Sequence, residues 1–211
     1  MKYQAKHKAA LILMLIYGVL NFIGIFYYLG YVNGFPSWIT SLRFFTFLAY
    51  IICFISLSLL KGINVYIKRA KIAIILSLVV APFTMASYYI YTDWSMVLYD
   101  GLNYSATLLE YICLIYIFAA LNDLIAQTKI PYSQKTNKTI IIVYGASIIL
   151  YYIFQIMIEI DAIIAKYSLY SLIYYSSLFV SAAALISTIF LFVRYLRLYI
   201  KAKKGGYLKN A

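Results

Sequence analysis

The chain has 211 residues, 65% of them hydrophobic and 11% charged, and its mean hydropathy is +0.89. Soluble domains carry about 25% charged residues and about half apolar ones, so this composition excludes a water-soluble globule and makes lipid the solvent of most of the chain. The formal charge of +12 does not indicate nucleic acid, because the basic residues sit in short clusters between apolar runs, the pattern that membrane topology produces.

Residues 1–8 are polar and basic. The apolar run after them exceeds the core of a signal peptide, about 7–15 residues, and no small-x-small cleavage site follows. It is predicted as a first span over 9–31. Gly18, Asn21 and Gly24 recur within it at helical spacing. That pattern suits a close helix–helix contact with Asn21 hydrogen-bonded across it. The alternative is that Asn21 touches a ligand. A short uncharged link with Gly34 and Pro36 leads to a second span, 38–60. Arg43 lies near its start, and Thr46, Tyr50 and Cys53 continue the same face. Lys61, Lys68, Arg69 and Lys71 fill the next link. The third span, 72–91, holds Pro82, which removes a backbone donor and is expected to kink the helix.

The fourth span, 96–121, organises the rest. Asp100, Asn103, Thr107 and Glu110 fall on one stripe, about 80° wide at 100° per residue. Ionisable side chains are costly in hydrocarbon and normally face protein or water. A polar link with Lys129, Lys135 and Lys138 precedes the fifth span, 139–158, whose outer end carries Gln155, Glu159 and Asp161. The sixth, 167–192, runs into a basic tail, 194–211. That tail is expected to begin as an amphipathic turn or two through Arg194, Arg197 and Lys201.

Six spans put both termini on one side. The basic residues before span 1, between spans 2 and 3, between spans 4 and 5, and after span 6 all fall there. The other side holds Lys166, with Arg43 just inside the membrane. The positive-inside rule then places both termini in the cytoplasm, in the plasma membrane of a prokaryote. Acidic residues run the other way: Asp93, Asp100, Glu159 and Asp161 lie at or near the outer face. Tyrosine is also skewed outward, a lopsided version of the usual aromatic belts.

Three constellations carry the candidate chemistry. Arg43 and Asp100 enter from the same side at similar depth. They either form a packing ion pair that sets helix register or make one wall of a ligand site. Glu110 lies about 15 Å below Asp100 at 1.5 Å per residue, with no basic residue expected at its depth. It is a neutral acid hydrogen-bonded to Tyr, Thr or a carbonyl, a proton relay, or the counter-ion of a bound cation. The outer tyrosines with Asp100, Glu110 and Glu159 suit a cage for an organic cation, each cation–π contact adding about 0.5–2 kcal/mol. The candidate ligand-binding set is therefore Arg43, Tyr50, Asp100, Asn103, Thr107, Glu110, Gln155, Glu159 and Tyr174.

Enzyme signatures are nearly absent, and no enzymatic activity is expected. His7 is the only histidine, placed outside the membrane, which removes His-based triads, HExxH sites and paired haem ligands. Tyr99-Asp100 lacks the GxGD partner of intramembrane aspartyl proteases. Asp100-Gly101 lacks the later residues of the CDP-alcohol phosphotransferase motif. Cys53 and Cys113 have no metal-ligand spacing and read as small apolar fillers. No cofactor or metal is expected.

The expected fold is all-α, a polytopic membrane protein formed by a six-transmembrane-helix bundle in one domain over 1–211. The leading functional expectation is a small-molecule binding or transport component, with an outward-facing site for a polar or cationic ligand. In size, helix count and placement of the termini this architecture is similar to the substrate-binding subunits of energy-coupling-factor vitamin transporters. The likeness is one of topology and covers no motif. The AxxxA face those proteins present on helix 1 has only Ala5-x3-Ala9 as a counterpart, largely outside the membrane. The alternative is a non-catalytic accessory or assembly subunit, its charges bound to a partner membrane subunit and its basic tail to a cytoplasmic protein or anionic lipid. A receptor-like sensor is third.

Overall fold

The structure, a computed structural model, describes residues 4–32, 42–89, 93–128, 130–132, 134–164 and 170–207. Every element within them is α-helical: α1 Ala5–Val32, α2 Leu42–Leu59, α3 Val65–Tyr89, α4 Asp93–Ala126, α5 Gln134–Ile164 and α6 Tyr170–Lys204. Among the described residues four helices are long and apolar enough to cross a membrane: α1 over Ala5–Gly24, α4 over Tyr104–Ala126, α5 over Gln134–Ile158 and α6 over Leu172–Lys204. In α2 the apolar stretch Phe45–Leu59 is shorter. The chain is an all-α protein built for a membrane.

Helix ends differ from the hydropathy boundaries where polar residues take up backbone groups. One such shift is in α3, which begins at Val65 rather than 72. Gly62, at φ +91°, turns the chain after α2, a backbone region glycine enters without a Cβ clash. Asn64 then caps α3, its Oδ1 accepting from the Ile67 N–H at 3.1 Å. Lys68, Arg69 and Lys71 thus lie on helix, not in a loop. The Arg69 guanidinium stands 5.8 Å from the Tyr116 ring centre and the Lys71 ammonium 4.7 Å from that of Phe54. Pro82 is inside α3, which continues past it. The basic tail is also helical further than expected, since α6 is continuous to Lys204. It stops at a glycine cap: Gly206 adopts φ +72°, Tyr207 N–H reaches Ala202 O at 3.0 Å and Gly206 N–H reaches Lys203 O at 3.3 Å.

Backbones pack closely between α1 and α2, α3 and α4, α5 and α6, and α1 and α6. Small residues permit this. A Cβ on Gly18 would stand 3.2 Å from Ile189 of α6, and one on Gly24 would stand 2.8 Å from the Thr46 hydroxyl of α2. The seam between α4 and α5 is made of rings instead. Tyr111 meets Tyr144, Tyr151 and Tyr152 edge-on with centres 6.1–6.3 Å apart, and Phe118 meets Tyr144 at 5.1 Å. The buried share of each span grades from 56% in α4 to 11% in α5, so α4 is the interior helix and α5 turns most of its apolar side outward. At the end that holds the termini, Tyr199 Oη lies 3.3 Å from His7 Nδ1. His7, expected outside the membrane among lysines, is in fact buried against α6.

Candidate functional site

Glu110 is bonded across the bundle. Tyr17 Oη donates to its Oε1 at 2.7 Å, and Asn21 Nδ2 donates to the same oxygen. Tyr50 Oη donates to Oε2 at 3.0 Å. Two donors come from α1 and one from α2. Tyr17 and Asn21 are four apart, so both project from one face of α1 toward α4. All three donors are buried. The Asn21 Oδ1, by contrast, is buried with no hydrogen-bond partner among the described residues. A buried acceptor left unpaired is unusual and calls for an explanation.

A cavity of about 130 Å³ lies beside the carboxylate. Glu110, Thr107 and Tyr111 of α4, Asn21 and Gly24 of α1, Thr46 and Tyr50 of α2, Tyr151 of α5 and Ser181 of α6 contribute to its wall. About one turn nearer the termini on α1, α2 and α4, Met14, Cys53, Cys113 and Leu114 are fully buried. The lining residues Gly24, Thr46 and Thr107 stand on the opposite side of Glu110, so the cavity extends away from the termini. No Lys or Arg is among the described residues of its wall.

One helical turn further from the termini lies a second polar layer. Tyr104 Oη donates to Gln155 Oε1 at 3.3 Å, and Gln155 Nε2 donates to Ser177 Oγ at 3.3 Å. Tyr104, Gln155 and Ser177 are three to four residues from Thr107, Tyr151 and Ser181 on the same three helices, about 5 Å along each axis. This layer ties α4, α5 and α6 together above the cavity.

Of the residues expected from the sequence, Tyr50, Thr107 and Glu110 come together here. Gln155 sits in the layer above and does not line the cavity. Tyr174 packs edge-on against Tyr175 with centres 5.9 Å apart and does not line it either. Arg43, Asp100, Asn103 and Glu159 belong to α2, α4 and α5, but their side chains lie outside the described residues, as does any Arg43–Asp100 pair. Tyr151 is one of the outer tyrosines considered for a cation cage. Sequence reasoning missed Tyr17, Tyr111 and Ser181. The signal for Tyr17 was its place one turn before Asn21; the other two carried none. Cys53 and Cys113 are both buried and free.

Among the described residues no cluster of three or more His, Cys, Asp or Glu is placed to hold a metal ion. No protein-family model matches the chain, and no curated protein or solved structure does either.

Proposed function

We propose that the protein is a binding or transport component for a small cation bearing N–H donors, seated against Glu110. The observation that carries this reading is a carboxylate whose bonds come from neutral donors, in a cavity wall without a described basic residue. The three donors supply hydrogen bonds but no counter-charge. A cation in the cavity would supply it, and Tyr50, Tyr111 and Tyr151 would offer ring faces to it. A donor on the ligand would also give the unpaired Asn21 Oδ1 a partner.

The volume limits the ligand. A cavity near 150 Å³ takes benzene, so about 130 Å³ seats on the order of six heavy atoms. Methylammonium, dimethylammonium or guanidinium fits that size. A vitamin-sized molecule would place only one group there.

The same proposal includes topology. The four candidate spans, with α2 and α3, make six crossings. The basic residues of the α1 start, the α2–α3 region, the α4–α5 link and the α6 end share one side, taken as the cytoplasm. The cavity would then open toward the outer face.

Thermal unfolding of the purified protein in detergent tests the site, with methylammonium, dimethylammonium and guanidinium as probes and tetramethylammonium, which has no N–H, as the control. A ligand at about 100 times its dissociation constant stabilises by about 2.7 kcal/mol. The expected result is a shift with at least one cation that Glu110→Gln abolishes and Glu110→Asp weakens. Absence of a shift with every cation, or an equal shift in Glu110→Gln, overturns the proposal.

A further inference from the structure

A second recess has no part in the Glu110 site. It lies between the first turns of α5 and the last turns of α6, with a volume of about 480 Å³, within the range of ligand pockets. Ile140 of α5 and Ile186, Phe190 and Val193 of α6 line its length, and Arg194 and Arg197 stand at one end. The recess is thus amphipathic along its axis, apolar toward the membrane centre and cationic toward the helix end.

The cationic end is built, not incidental. Arg194 Nε donates to Asn137 Oδ1. Asn137 Nδ2 in turn donates to Asn122 Oδ1 at 3.2 Å, and that oxygen also accepts from Tyr195 Oη at 2.6 Å. Asn137 is buried, so this chain fixes where the guanidinium sits. Arg197 is exposed one turn away on the recess side. Charge reinforces the pattern: the first turn of α5 holds no acidic residue, and the last turn of α6 adds Lys201, Lys203 and Lys204. The outward face of α5, with Ile142 and Ile149 more than 60% exposed, belongs in hydrocarbon.

We infer that this recess binds an anionic phospholipid, its phosphate held by Arg194 and Arg197 and an acyl chain laid along Ile140, Ile186, Phe190 and Val193. The occupant follows from charge and depth together. A groove flanked by lipid-facing helices is filled by an acyl chain, and two arginines at its mouth select a negative headgroup. Basic pockets between membrane helices on the cytoplasmic side bind such headgroups.

Native mass spectrometry of the full-length protein in detergent tests this, with phosphatidylglycerol and phosphatidylcholine added at equal concentration. Wild type is expected to retain phosphatidylglycerol in preference. Arg197→Gln should lower that preference about fivefold, the worth of one arginine at an anionic lipid surface. Val193→Trp, which fills the recess, should reduce retention of the lipid itself. Arg197→Gln alters an exposed side chain and carries the test if Val193→Trp fails to fold. Equal retention of the two lipids by wild type, or unchanged preference in Arg197→Gln, overturns the inference. Inorganic phosphate displacing the lipid completely would make this an anion site and overturn the lipid assignment.

Discussion

Removing the Glu110 carboxylate separates its hydrogen-bonding role from its charge. Glu110→Ala leaves three buried donors, from Tyr17, Asn21 and Tyr50, without their acceptor. A buried unpaired polar group costs about 1–3 kcal/mol, whereas polar contacts between membrane helices average about 0.6, so three donors place the loss at roughly 2–5 kcal/mol. Glu110→Gln differs. Its remaining carbonyl oxygen can accept from Tyr17 and Asn21, and its amide nitrogen faces Tyr50, whose hydroxyl accepts as well as donates. Its loss should stay near 1 kcal/mol. At about 2–4 °C per kcal/mol for a chain of this size, Glu110→Ala should unfold roughly 5–15 °C below wild type and Glu110→Gln only a few degrees below it. Thermal unfolding followed by circular dichroism in detergent reads both, with Ile142→Ala on the lipid-facing side as control. Equal losses for Ala and Gln, or losses no larger than the control, would refute the geometry.

Tyr17→Phe combined with Glu110→Ala, which removes the acceptor, should show a coupling of about 0.5–2 kcal/mol in a double-mutant cycle, and additive losses would deny the 2.7 Å contact. Gly24→Ala should destabilise by about 1–2 kcal/mol, because the new Cβ stands 2.8 Å from the Thr46 hydroxyl; Thr46→Ala in the same background should recover most of that loss. A neutral Gly24→Ala would rule out the close approach of α1 and α2. Asn64→Ala should lower stability by about 1 kcal/mol through loss of the α3 cap, measured as the unfolding midpoint; Asn64→Ser should retain most of the cap, whereas Asn64→Asp sets a second carboxylate beside Asp123 and should recover less.

How far the sequence reached can be judged residue by residue. Hydropathy alone located all six helices, because each is an apolar run longer than a soluble strand or turn allows. It misplaced the start of α3 because Asn64 and Lys68 to Lys71 are polar, and a hydropathy reading cannot tell a capped helical turn from a link. Glu110 was legible as a costly group that required partners. Its nearest helical partner was legible in kind, since the Asn21 spacing already implied a contact made across helices. What could not be read was which helices meet. Tyr151 and Ser181 carry no periodic mark of their own, and only the packing of α5 and α6 brings them to the cavity of α4. The site accordingly draws on α1, which the sequence reading assigned to packing.

On the proposed reading Glu110 both holds the bundle and receives a ligand, and the two roles are linked. Helix α3 packs on α4 backbone to backbone, and α1 packs likewise on α2 and α6. Between α4 and the α1–α2 pair, three hydrogen bonds converge on Glu110. The position of α4 against α1 and α2 therefore depends on side chains that a bound cation would also engage. A cation drawing on Oε2 would weaken the Tyr50 bond before it touched those of Tyr17 and Asn21, because the latter two share Oε1. Binding at the cavity would in that way loosen α2 first while leaving α1 in place. Tyr50→Phe, which removes the same bond without a ligand, should then mimic the bound state. Hydrogen exchange should rise in the α2 segment Phe45–Leu59 and stay unchanged over Ala5–Gly24. Equal exchange gains in both segments would mean that the carboxylate's bonds hold α1 and α2 as one unit, and the proposed order of release would be wrong.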